Sequence, residues 1–172
     1  MSTIARAWRH RWSTERRLAR IFDAAAFEAV EAAIAEGEAV HRGEIRFALE
    51  ADLDLFELLR GLRARERALA VFAEHGIWDT EENSGVLIYL LWADHAVEIV
   101  ADRGVQARVP REVWRQCCDL IVAGCAAADA GDATRAPAAV VEAVRRLNAV
   151  LADAMPAGPD DRNELPNAPI SL

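Results

Sequence analysis

Hydrophobic residues at helical spacing mark several segments of the chain. An apolar side chain returns every three or four positions, as expected for helices that bury one face. The segments are residues 23–37, 55–75, 110–128 and 137–155. Asp23 is a suitable N-cap for the first, and Asp54 with Glu57 forms a capping box for the second. Gly37 and Gly76 are suitable ends for these two helices.

Three other segments have the patterns of strands. Residues 44–50 alternate between apolar and charged positions, which predicts a half-buried strand at the edge of a sheet. Residues 86–92 are apolar throughout, which predicts a strand covered on both faces. A short turn at 93–96 leads into residues 97–102, so these last two strands are predicted to form an antiparallel hairpin.

The order of these elements indicates the fold class. A strand, a helix and a second strand in succession favour a parallel crossover, and the hairpin adds an antiparallel neighbour. We therefore predict an α/β protein, a three-layer α/β/α sandwich with a small mixed sheet. Its domain is expected to span residues 23–155, between a basic aromatic N-terminal arm (1–22) and a Pro-rich extended C-terminal tail (156–172).

The predicted arm differs in charge from the rest of the chain. Residues 1–20 contain six Arg and one Glu, whereas the whole chain has a net charge of −8. Trp8 and Trp12 stand one helical turn apart among these arginines. The arm is either a contact for a protein partner, an anionic membrane surface or RNA, or a short helix whose tryptophans pack on the domain. The acidic balance of the whole makes DNA an unexpected partner, and the oligomeric state stays open.

Composition excludes several classes of chemistry. Of 172 residues none is Lys, so no Schiff-base or phosphate-loop lysine exists. The three cysteines fall in one predicted helix, which fits buried thiols in a reducing compartment and neither a disulfide framework nor a zinc site. No signal peptide and no apolar run of membrane-spanning length is present, so we expect a cytoplasmic protein.

Polar residues are expected to converge at one end of the hairpin. If its turn centres between Asp94 and His95, Asp102 lies opposite Leu87 and Gly104 opposite Gly85. Asp102 and Arg103 then emerge beside the loop 79–85. Carboxylates at this corner would suit calcium or magnesium; alternatively, they are turn-forming and capping residues.

A second acidic patch follows the first predicted strand. It consists of Glu50, Asp52 and Asp54, and parallel pairing would place it beside Asp94 and His95. Ligands favour the carboxyl ends of strands in open α/β sheets. Asp54 is already explained as a helix cap, which weakens this patch as a site.

The segment from Gly76 to Gly104 resembles the TPM domain family. The resemblance rests on GIWDTEENSGVLIYLL (76–91), Asp94-His95 and VEIVADRG (97–104), and it covers roughly residues 23–155. It implies an α/β/α sandwich, a phosphatase label and, in some members, calcium binding. This chain has Ala101-Asp-Arg-Gly104 where many relatives carry a glycine-aromatic-glycine turn.

Two functions follow as hypotheses. The first is a divalent-cation-dependent phosphatase that hydrolyses phosphate monoesters. The residues assigned to it are Asp102 and Asp94 as catalytic groups, Arg103 and Asn83 as substrate-binding groups, and Asp79, Glu81 and Asp102 as ligands of calcium or magnesium. The alternative is a non-catalytic binding or assembly module that docks a protein or membrane surface.

Overall fold

A four-stranded mixed sheet runs through the molecule. In the computed structural model, which describes residues 15–172, its spatial order is β3-β2-β1-β4. The strands are β1 (Glu44–Glu50), β2 (Gly85–Leu91), β3 (Ala96–Ala101) and β4 (Ile170–Ser171). β1 is parallel to both β2 and β4, and β3 is antiparallel to β2. The predicted α/β class and the mixed sheet are confirmed.

Helices cover both faces of this sheet. They are α1 (Glu15–Ile21), α2 (Ala24–Glu38), α3 (Leu55–Leu59), α4 (Ala64–Glu74), α5 (Arg103–Gln106), α6 (Arg111–Asp129) and α7 (Arg135–Ala154). α1, α2, α6 and α7 share one core with the face of the sheet that carries Phe47 and Ile88. α3 and α4 pack on the opposite face, against Leu87 and Tyr89. These two cores produce the three-layer arrangement.

The predicted stripes of the two long C-terminal helices are the ones that are buried. In α6, Cys117, Ile121 and Cys125 are fully buried, and in α7 so are Val140 and Leu147. Each helix presents this stripe at intervals of three or four residues, so a single face enters the core. The three cysteines are free thiols, and burial raises the pKa of each.

The first strand differs from its prediction. Every residue of β1 is buried, although a half-buried edge strand is predicted. The alternation misleads because the charged side is covered as well. The C-terminal segment supplies β4 along the outer side of β1, where Ala48 pairs with Ile170. β1 is therefore an inner strand, and β3 is the half-buried one.

The predicted helix over 55–75 is interrupted. Gly61 adopts a left-handed φ of +74° between α3 and α4, which ends the first helix after five residues. The break also rotates the buried face, so Leu59 and Leu69 are exposed while Ala68 and Val71 are buried. The predicted capping box at the start of α3 is present.

The hairpin is present, with a register two residues from the predicted one. Leu91 pairs with Ala96 and Val86 with Ala101, because the 3₁₀ turn Trp92–Asp94 shifts the fold-back toward the N-terminus. Asp102 therefore lies opposite Gly85, to whose carbonyl oxygen its N–H donates at 2.8 Å, and not opposite Leu87. A shift of two leaves every side chain on its predicted face.

The structure describes the C-terminal segment in full and the N-terminal segment from residue 15 onward. Trp8 and Trp12 lie outside the described residues, whereas Leu18 and Ile21 of α1 and the following Phe22 belong to the core. Residues 156–172 run in extended form across the amino ends of β1 and β2 before they enter β4. Within the described part of the chain, no helix is both long and apolar enough to cross a bilayer.

Candidate functional site

The first element of the site is the segment 79–85, which follows α4 and ends on the first residue of β2; we call it the acidic loop. Gly76, with a φ of +62°, ends the preceding helix, and its carbonyl oxygen accepts from the N–H of Asp79 at 2.9 Å. Further along, the N–H of Ser84 donates to Thr80 Oγ1 at 2.8 Å. Asn83 adopts a left-handed φ of 53°. The loop is thus shaped by its own backbone contacts.

The segment after β3 packs directly on this loop. A Cβ atom added to Gly104 would lie 2.5 Å from the carbonyl oxygen of Glu82 and 2.6 Å from that of Asn83. Only glycine allows such a close approach of two backbones. The structure therefore brings residues 102–104 beside the acidic loop, as the hairpin argument predicts.

The side chain of Asp102 has a local structural task. It is the N-cap of α5, and its Oδ1 accepts from the N–H of Arg103 at 2.7 Å. Arg103 itself is exposed. The capping alternative thus accounts for the position of Asp102, while its predicted catalytic and metal-binding roles stay predictions.

The acidic loop also lines an open cavity of about 610 Å³, to which residues 102–104 do not contribute. Polar and charged residues of the loop, of the segment before β1 and of the C-terminal segment surround it. They are Arg42, Glu81, Glu82, Ser84, Asp160, Asp161, Arg162 and Glu164. Five carboxylates and two guanidinium groups thus share one cavity. Of the residues assigned from sequence, Glu81 lines it, and Asp79, Asn83, Asp102 and Arg103 do not.

Two of these carboxylates fasten neighbouring segments together. The carboxylate of Glu164 accepts from the N–H of Glu81 at 3.0 and 3.2 Å and so ties the C-terminal segment to the acidic loop. Glu82 forms an ion pair with Arg42, which precedes β1. Within residues 15–172, the side chains of Glu81, Asp160 and Asp161 make no hydrogen bond or ion pair, so these three are available to a ligand.

A smaller cavity of about 200 Å³ adjoins the first and shares Asp161 and Arg162 with it. Glu38, at the end of α2, lines this second cavity. Its carboxyl oxygens accept from the N–H of Ile45 at 3.2 Å and from Asn163 Nδ2 at 3.3 Å. Burial, and then the charge of Glu44, raises the pKa of Glu38 to about 8. This side chain is therefore protonated at neutral pH.

Glu44 and His41 complete the smaller cavity. The carboxylate of Glu44 accepts from the N–H groups of Glu164 and Leu165, each at 3.1 Å. Burial raises the pKa of Glu44 against the effect of these two hydrogen bonds. Burial lowers the pKa of His41, whose Nδ1 accepts from the N–H of Gly43 at 3.1 Å. The proton of this neutral imidazole is then on Nε2, 3.1 Å from Asn148 Oδ1.

The described residues contain no group of three or more His, Cys, Asp or Glu side chains placed to hold a metal ion. Asp79, Glu81 and Asp102 therefore do not form a ready-made set of ligands. Calcium takes six to eight oxygen ligands, which include carboxylates, backbone carbonyl groups and waters. Magnesium differs, because it keeps several waters and is often held by one or two carboxylates together with a substrate phosphate.

Asp94 does not share a site with Asp102. It ends the 3₁₀ turn between β2 and β3, whereas Asp102 follows the far end of β3. The six residues of β3 separate them, which is about 20 Å at the usual rise along a strand. The structure thus places the two predicted catalytic residues at opposite ends of the hairpin.

The second acidic patch lies at the Asp94 end, as the parallel pairing predicts. The N–H of Ala93 donates to the carbonyl oxygen of Ala51 at 3.0 Å, which joins the two strand ends. The carboxylate of Glu50 is buried and accepts from Tyr89 Oη at 2.5 Å and from Arg67 Nε at 3.0 Å. Its charge is therefore engaged inside the core.

The residues of the C-terminal segment that line the larger cavity are not predicted as site residues from the sequence. Asp160, Asp161 and Arg162 lie far along the chain from the acidic loop and face it only in the fold. The sequence feature that could have indicated these residues is the charged run directly after Pro159, in a segment that is otherwise typical of a tail.

Comparison with known proteins agrees with the fold and with the acidic loop. The family model described as the TPM domain matches residues 16–148, which include the whole hairpin and the acidic loop. The chain belongs to the TPM domain family. Residues 160–164 of the larger cavity lie outside the matched region, so this TPM domain builds one wall of its cavity from a segment that the family model does not cover.

A solved structure supports the same architecture. The chain is similar to the BA42 protein from the psychrophilic bacterium Bizionia argentinensis, determined by NMR, with a TM-score of 0.73 and 26% identity. The alignment covers 87% of this chain and 94% of BA42. No curated protein matches the sequence.

Proposed function

We propose that this TPM domain binds phosphate monoesters in the larger cavity and hydrolyses them with the help of a divalent cation. The observation that carries the proposal is the mixed lining of that cavity, five carboxylates with two arginines beside the acidic loop. Carboxylates attract a cation, and arginines bind phosphate. The name of the family model, TPM phosphatase, points to the same chemistry.

Magnesium suits the carboxylates better than calcium does. Glu81 and Asp161 would hold it, because their side chains are not engaged with other described residues. Two such carboxylates and a substrate phosphate are sufficient for magnesium. When bound, the cation supplies neutralising charge to the phosphoryl oxygens.

Two further side chains have roles in this proposal. Arg162 borders both cavities and would bind the phosphate through two parallel N–H donors. Glu38 borders the smaller cavity and holds a proton at neutral pH because burial raises its pKa to about 8. It would donate that proton to the leaving oxygen of an ester whose alcohol part extends into the smaller cavity.

Hydrolysis of p-nitrophenyl phosphate in the presence of magnesium, manganese or calcium tests the proposal. Glu81→Gln and Asp161→Asn should each lower the rate at least tenfold, because each removes a cation ligand. Glu112→Gln is the matched control, since this exposed carboxylate pairs with Arg115 on α6. Rates that equal the buffer blank with every cation, or variants as active as the wild type, would contradict it.

The same assay locates the reaction. Asp102→Asn should retain activity if hydrolysis takes place in the larger cavity, because Asp102 does not line it. If Asp102→Asn is inactive while Glu81→Gln and Asp161→Asn are active, the reaction takes place on the hairpin side of the loop. That result would favour the assignment made from sequence over the one made from the cavity.

The second candidate is a non-catalytic binding module. It is favoured by the structural use of Asp102 as a helix cap and by the distance between Asp102 and Asp94. In this case cations or phosphate would raise the melting temperature without turnover. A partner that binds through residues 1–20 would be lost on deletion of residues 1–14, a deletion that spares the core residue Leu18.

A further inference from the structure

The helix α3 carries two exposed apolar side chains on one face. Phe56 is 60% exposed and Leu59 is 71% exposed, the two highest values among the large hydrophobic residues of the described part. They stand three positions apart in a helix, so both point to the same side. Nothing in the capping of α3 requires either of them to be apolar.

The acidic side chains near this apolar pair are engaged in hydrogen bonds that cap the two helices. Glu57 and Glu66 turn their carboxylates back onto the N–H groups of Asp54 and Arg63, at 2.9 Å each, and so cap α3 and α4. Arg65 is also engaged, with the carbonyl oxygen of Ile99 at 2.7 Å.

Two arginines remain beside the apolar pair. The guanidinium of Arg60 lies 4.3 Å from the centre of the Phe56 ring. Within residues 15–172, neither Arg60 nor Arg63 forms an ion pair. The acidic groups of this segment are thus folded into helix caps, while two arginines and two apolar side chains face outward.

The shape of the segment limits the kind of partner. The turn at Gly61 projects into open space, since no atom lies within 4 Å of a Cβ built there. The apolar surface consists of two side chains, far less than the roughly 800 Å² per partner of a standard protein interface. A lipid surface needs no matching groove, and a few apolar side chains with adjacent arginines are sufficient for weak binding to it.

We propose that Phe56, Leu59, Arg60 and Arg63 form a docking site for an anionic lipid surface. The two apolar side chains would enter the boundary between headgroups and acyl chains, and the two guanidinium groups would bind lipid phosphates. The excess of acidic residues over arginines in residues 21–172 would keep most of the domain away from that surface and orient it. This site is independent of the proposed phosphate-ester chemistry.

Co-sedimentation of the full chain with vesicles tests the site. We expect binding to vesicles of phosphatidylglycerol and phosphatidylcholine at low salt, weaker binding at high salt, and little to pure phosphatidylcholine. Arg60→Gln and Arg63→Gln should each lower the partition coefficient about fivefold. Phe56→Ser should also lower it, whereas Trp78→Ser, a similarly exposed aromatic that follows the far end of α4, should not.

Three results would overturn the proposal. Equal binding to both kinds of vesicle would exclude the role of the arginines. Binding that persists in the Arg60→Gln, Arg63→Gln double variant would place the contact elsewhere, such as in residues 1–14. A complete lack of vesicle binding at low salt would exclude the lipid surface and leave an acidic protein as the partner to be sought.

Discussion

Glu38→Gln should change the way in which the stability of the protein depends on pH. The Glu38 carboxyl group is held between β1 and the C-terminal segment, by hydrogen bonds from Ile45 and Asn163. Burial and the nearby charge of Glu44 favour its neutral form and raise its pKa from 4.5 to about 8. Glutamine keeps the size of the side chain and one acceptor oxygen, and it cannot ionise.

The sign follows from the direction of the pKa shift. Between pH 4.5 and pH 8 the unfolded chain has released this proton and the folded chain has kept it. The stability that the neutral form of Glu38 contributes is therefore fully present below pH 4.5 and is lost as the pH rises through about 8. A pKa that moves from 4.5 to about 8 corresponds to at most about 5 kcal/mol. The variant should gain up to that amount relative to the wild type across this range.

Urea unfolding at several pH values, followed by the fluorescence of the five tryptophans, measures this difference. Burial shifts the pKa values of His41 and Glu44 in opposite directions, and both residues are present in the wild type and in the variant. The difference between the two proteins therefore reports the ionisation of Glu38 together with its electrostatic coupling to Glu44. Glu36→Gln is the control, because Glu36 is exposed on the same helix. If the wild type and Glu38→Gln show parallel pH profiles, the burial argument is wrong.

Three further predictions concern contacts that hold the site and the sheet. Gly104→Ala should cost about 1–3 kcal/mol in urea unfolding, because its Cβ would meet two carbonyl oxygens of the acidic loop; Gly61→Ala, in open space, should cost no more than about 2 kcal/mol. Tyr89→Phe should cost about 1–3 kcal/mol by the same measurement, since it removes a donor to the buried carboxylate of Glu50; unchanged stability would mean that Arg67 alone satisfies that carboxylate. Ile170→Ala should cost about 2 kcal/mol and speed hydrogen exchange in residues 156–172, because Ile170 anchors β4 in the core; unaltered exchange would show that the segment is held elsewhere.

The parts of the fold that sequence predicts are those with a strong local pattern. Residues 86–92 are apolar at every position, and such a short run is typical of a strand covered on both faces. The stripe of α7, with Val140 and Leu147, is equally direct, because helical spacing alone orients it. In both cases the tertiary environment agrees with the local preference, so the pattern is sufficient.

The errors arise where a local pattern is overridden by a distant segment or by a single backbone angle. β1 alternates like an edge strand, but the C-terminal segment pairs with it and buries its charged side. The break at Gly61 depends on one φ value, and the leucines on either side continue the helical pattern across it. The two-residue error in the hairpin comes from a 3₁₀ turn that has no clear signature in its sequence.

Half of the candidate site could not be predicted from the sequence. The acidic loop is local, and its resemblance to the TPM family locates it. Its opposite wall comes from Asp160, Asp161 and Arg162, which reach it because Glu44 and Glu164 form hydrogen bonds with backbone N–H groups across the gap. Those two glutamates look like ordinary surface charges in the sequence. They join segments about 80 and 120 residues apart, and no periodicity or motif records such a contact. The C-terminal segment is therefore best regarded as part of the site, and variants of Glu44 or Glu164 should affect the cavity before they affect the sheet.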